Sequence, residues 1–136
     1  MTTATVLTLH LSMLFGLYEL ATGLGSLTGR LRWDALIDEI ARSPALVLIT
    51  GLVTFTIGAA LVSIHNLWTD ALAVVVTLIG WLALIEGLIL LAAPGPFLAA
   101  VRPLARWQRP LSLAAAVFGA LLIIAGFTGR VETIIT

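Results

Sequence analysis

The stretch from Ala71 to Ala93, ALAVVVTLIGWLALIEGLILLAA, carries one charged side chain, Glu86, in an otherwise apolar run. A bilayer core of about 30 Å is crossed by about 20 residues of helix, so the run is long enough to span. Three further segments have the same character: Val6 to Leu27, Ala45 to Ile64 and Leu111 to Phe127. Hydrocarbon leaves no water for backbone N–H and C=O groups, so segments of this length fold as helices. The expected fold is all-α, a four-helix transmembrane bundle.

The rest of the composition agrees. Sixty per cent of the 136 residues are hydrophobic and 10% are charged, against about 25% charged in soluble domains. Seven arginines balance seven acidic residues, so net charge supplies no attraction for nucleic acid. Cysteine is absent, which removes disulfides, thiolate metal sites and cysteine nucleophiles. Nucleophile motifs and phosphate-binding loops are absent too, and Gly23-Leu24-Gly25 lies inside a span without the rest of a dinucleotide fingerprint. The chain is therefore read as no enzyme, with no catalytic residue, no cofactor and no metal site. The first span lacks the basic start and small-residue cleavage pattern of a signal peptide and is read as retained.

Arginine placement sets the expected orientation. Arg30, Arg32 and Arg42 lie between spans one and two, and Arg102, Arg106 and Arg109 between three and four. The turn HNLWTD has none and the C-terminal tail has Arg130 alone. The positive-inside bias then places residues 28–44 and 94–110 in the cytoplasm and both termini in the periplasm.

The halves 1–68 and 69–136 look like a duplicated hairpin. Glu19 and Glu86 are 67 residues apart, as are Arg42 and Arg109, while Gly51 to Gly119 and Gly58 to Gly126 are each 68. An Arg-Trp pair, Arg32-Trp33 or Arg106-Trp107, sits in each linker. Two tandem hairpins of even span number share one orientation, with Glu19 and Glu86 at similar depth. The second half, LIEGLILLAAP followed by arginines, Arg109-Pro110 and AVFGALLIIAGF, resembles the YjeT-like family of small bacterial inner-membrane hairpin proteins. Glu86, Gly87, Leu88, Pro94, Arg109, Gly119 and Gly126 carry the likeness. The first half departs from it, with Leu20 after Glu19 and no proline until Pro44. The resemblance implies a bacterial inner-membrane location and brings no activity with it.

Ser12, Gly16, Glu19, Gly23 and Ser26 recur at steps of three and four, a small and polar stripe along span one. Small residues let helices approach closely in lipid. Gly51 and Gly58 on span two, and Ser112, Gly119 and Gly126 on span four, supply the same device. The first linker places Trp33, Leu36, Ile37 and Ile40 at i, i+3, i+4 and i+7, an amphipathic helix suited to the membrane interface. The second, with four prolines, is expected to be short and irregular.

Glu19 and Glu86 are the candidate functional groups. No lysine exists in the chain and no arginine lies within a span, so neither glutamate has an obvious basic partner at its depth. A carboxyl there costs roughly 2.5–3.5 kcal/mol to insert when charged. Such groups either relay a proton or small cation, or simply hydrogen-bond a neighbouring helix. His65, with Asn66 and Asp70 near the periplasmic end, is the candidate entry point. The leading reading is a proton or small-cation pathway in a homo-oligomer. An accessory subunit of a larger membrane complex is the rival, and a hydrophobic small-molecule exporter comes third.

Overall fold

The computed structural model describes the backbone of residues 3–135 and the side chains of residues 5–129. Arg130, which figures in the charge count of the tail, lies outside the described side chains. The described chain is all-α: α1 Thr3–Leu27, α2 Trp33–Arg42, α3 Pro44–Ile64, α4 Ala71–Ala92, α5 Pro94–Val101, a 3-10 segment Arg102–Trp107, and α6 Gln108–Ile135. Four of these helices, α1, α3, α4 and the run ending in α6, are long and apolar enough to cross a membrane. The protein is a small multi-pass integral membrane protein.

Local chemistry explains most boundaries. Helix α1 stops at a left-handed glycine, Gly29 with φ of 76°, and the Arg30 and Leu31 amides donate back to the Gly25 carbonyl at 3.0 Å. Glycine adopts that conformation without the Cβ penalty. Ser43 caps α3, its hydroxyl accepting from the Leu46 amide at 3.3 Å, and Pro44 follows in the first turn. Asp70 caps α4, its carboxylate accepting from the Ala73 amide at 2.9 Å.

The second linker corrects the expectation of an irregular segment. It is helical throughout, because Pro94 and Pro96 stand in the first turn of α5, Pro103 in the first turn of the 3-10 segment and Pro110 in the first turn of α6. First-turn amides have no intrahelical acceptor, so a missing N–H there breaks nothing. Helix α6 also outruns the expected Leu111–Phe127 at both ends. Its 28 residues reach roughly 42 Å, more than the thickness of the bilayer core.

The chain forms two compact units. One comprises Met1–Leu31, Leu67–Val76 and Arg109–Thr136, and the other Arg32–Asn66 and Thr77–Gln108. Within the first, α1 packs on α6; within the second, α3 packs on the body of α4. Spans one and four thus share a seam, as do spans two and three, so both seams cross the boundary between residues 68 and 69.

Each seam is a glycine contact. A Cβ on Gly16 would lie 2.6 Å from the Gly119 carbonyl oxygen, and one on Gly23 would lie 2.8 Å from that of Ser112. Gly126 faces the Leu9 carbonyl and Met13 in the same way. In the other unit Gly58 meets the backbone of Ala83 and Leu84, Gly87 meets the Phe55 backbone, and Gly51 meets Leu91. In lipid, helices associate through such close packing, because apolar side chains gain nothing by leaving lipid tails for each other. All these glycines are buried within the chain.

Helix α2 packs against α3, α5 and the 3-10 segment. Leu36, Ile37 and Ile40 are half-buried on that side, and Trp33, Ala35, Glu39 and Arg42 are exposed. Asp38 joins the two linkers through a 2.8 Å ion pair with Arg102, and the Trp33 amide donates to the Gln108 side chain at 3.1 Å.

Candidate functional site

Glu19 rises from α1 at the edge of the α1·α6 seam. Ser12, Gly16, Gly23 and Ser26 of its stripe are buried, whereas Glu19 is half-buried. Ser12, fully buried, donates its hydroxyl to the Leu122 carbonyl at 2.8 Å. Glu19 lends the seam its backbone, which faces Gly119, while its carboxyl makes no hydrogen bond or ion pair among the described residues.

Glu86 rises from α4 one residue before Gly87, about 100° around the helix from a glycine that lies on α3. It is exposed, and its carboxyl likewise has no hydrogen bond or ion pair among the described residues. Leu82 and Ile89, its neighbours at i−4 and i+3, are 65% and 42% exposed. Glu86 sits six residues before the end of α4 at Ala92, and Glu19 eight before the end of α1 at Leu27, roughly 9 and 12 Å along their own helices. Measured from the seams they differ: Glu19 lies midway between Gly16 and Gly23, and Glu86 directly beside Gly87.

His65, Asn66 and Asp70 have three separate occupations. His65, which ends α3, is 1% exposed, and its Nδ1 lies 3.1 Å from the hydroxyl of the fully buried Thr77. Asn66 accepts from the Trp81 indole at 3.4 Å, and Asp70 caps α4. Thr77 escaped attention in the sequence. Its signal was an isolated hydroxyl in the apolar first half of α4, which a hairpin register across the turn would have set opposite His65.

Trp33 and Trp107 are 39% and 54% exposed, and the Arg106 guanidinium lies 5.8 Å from the Trp107 ring centroid. Arg32 pairs with Asp34 at 3.0 Å. The Arg32 hydrogen bond, and then the Ala35 amide, hold the Asp34 carboxyl below the usual carboxylate range. Among the described residues no three His, Asp or Glu side chains gather as a metal site.

Compared with protein-family models, curated proteins and solved structures, the chain matches none of them.

Proposed function

We propose that the protein provides a proton or small-cation pathway through its membrane, with Glu19 and Glu86 as the groups that take up and release the ion. One observation carries this reading. Two carboxyls stand inside apolar spans, and neither is bonded to any described residue. A carboxyl retained only to tie two helices together would be found donating or accepting across a seam, as Ser12 does. Intramembrane ionisable groups without a structural bond belong to ion paths and proton relays more often than to scaffolding.

The exposure of Glu86 favours a second reading, in which the protein is an accessory subunit that meets a larger membrane complex through the outer face of α4. The six linker arginines support a cytoplasmic position for both linkers and periplasmic termini. The likeness to the YjeT-like hairpins supports a bacterial inner membrane.

The test is ion flux in sealed vesicles carrying the purified protein. Wild type should dissipate an imposed proton or cation gradient, and Glu86→Gln should not, since glutamine keeps size and hydrogen bonding but cannot titrate. Glu19→Gln should behave the same way if the two carboxyls act in one path. A wild-type protein that moves no ion under any gradient, and always copurifies with one larger complex, would replace the pathway with the accessory subunit.

A further inference from the structure

We propose that the outer face of α4 is the docking surface for a second copy of this chain, with the two Glu86 carboxyls meeting as a hydrogen-bonded pair inside the bilayer. The proposal rests on the membrane reading and stands whether or not ions move.

The seams already described leave one polar group of α4, the Glu86 carboxyl, exposed and with no hydrogen bond or ion pair among the described residues. Gly80 and Gly87 turn one side of the helix to Leu61 and Phe55 of α3. The opposite side presents Leu78, Leu82, Ile85 and Ile89, all large, aliphatic and exposed, with Glu86 between Leu82 and Ile89. Aliphatic side chains are at home against lipid tails. A carboxyl is not, because hydrocarbon supplies neither donor nor acceptor, and an unmet polar group there costs several kcal/mol.

The chemistry narrows what can meet it. A cation at this depth cannot come from this chain, which has no lysine and no arginine inside a span. Lipid headgroups lie outside the hydrocarbon, roughly 9 Å or more along α4 from Glu86. A second copy does supply a match. Two copies inserted in the same orientation and related by a twofold axis along the membrane normal bring the same residue to the same depth, as an isologous interface requires. A protonated carboxyl has one O–H donor and a free acceptor oxygen, so two of them satisfy each other completely and leave no charge. The flanking Leu82 and Ile89 then pack against their own counterparts, with no foreign surface needed.

Cysteine crosslinking reads this directly, since the chain has no cysteine of its own. Leu82→Cys and Ile89→Cys, each alone, should give a covalent dimer in phosphatidylethanolamine–phosphatidylglycerol vesicles, and Leu52→Cys on the exposed face of α3 should not. Adding Glu86→Leu should cut the dimer yield about tenfold, and Glu86→Gln should preserve it, because a carboxamide pair keeps a donor and an acceptor on each side. Equal crosslinking at positions 52, 82 and 89, or a yield indifferent to Glu86→Leu, would overturn the proposal. So would crosslinks from positions 82 and 89 that appear only in cell membranes and only to a different protein. Crosslinking that survives Glu86→Gln in a protein without ion flux would uphold the dimer while removing the pathway.

Discussion

Replacing Gly16 by alanine adds one methyl group at a close backbone contact of the α1·α6 seam, and its cost follows from the geometry. The new Cβ would lie 2.6 Å from the Gly119 carbonyl oxygen and 2.7 Å from Ile123 Cγ1, against ordinary contacts of 3.4–4 Å. A backbone carbonyl cannot rotate aside, so the helices must part by about 0.8 Å. A gap of that size forfeits about a quarter to a half of each atom pair's ~0.1–0.2 kcal/mol of dispersion. Over a seam of some tens of atom pairs the loss is about 2 kcal/mol, within the usual range for overpacking. Alanine's better helix propensity returns up to ~1 kcal/mol. The expected net destabilisation is about 1–2 kcal/mol. Unfolding of the purified protein in mixed micelles measures it, with Gly95→Ala as the control, since a Cβ on Gly95 meets nothing within 4 Å. If Gly16→Ala were as stable as Gly95→Ala, the glycine seam would not be what joins α1 to α6.

Two further outcomes are expected. Thr77→Val keeps the volume but removes the hydroxyl beside His65 Nδ1, so it should cost about 1–3 kcal/mol in the same assay, the penalty for a buried polar atom losing a partner. No loss would show that this contact contributes nothing. Asp34, held low by Arg32, contributes its stabilisation above the ordinary carboxylate value and loses it as pH falls through its own lowered one. An NMR titration of the Asp34 carboxyl should therefore have a midpoint below that of an unfolded aspartate, and Arg32→Gln should raise it; an unmoved midpoint would remove Arg32 as the cause.

The spans and the first linker were legible because their signals are local. Hydrocarbon demands about 20 apolar residues per crossing, and α3 and α4 lie within one residue of the expected bounds at each end. The period of Trp33, Leu36, Ile37 and Ile40 likewise announces α2 on its own. The second linker misleads because proline counts as a breaker only past the first turn, and a count of prolines does not show where turns begin. The seams show where local reading stops. Gly16, Gly23, Gly119 and Ser112 announce surfaces that pack closely, yet any glycine face fits any other, and it is the folded chain that pairs α1 with α6 and α3 with α4. Glu86 was similarly half-legible. Its type and depth mark it as unusual, but its exposure depends on which side of α4 the flanking Gly87 turns toward Phe55.

An ion pathway, an accessory contact and a dimer through α4 all require Glu86 within the membrane, with the linkers and the α3–α4 turn on opposite sides of it. Single cysteines at Asp34, Asp70 and Glu86 test it in one experiment with a bulky, membrane-impermeant maleimide applied to sealed vesicles from either face. Positions 34 and 70 should label from opposite faces and position 86 from neither. Labelling of 34 and 70 from the same face, or ready labelling of 86 from water, would contradict it.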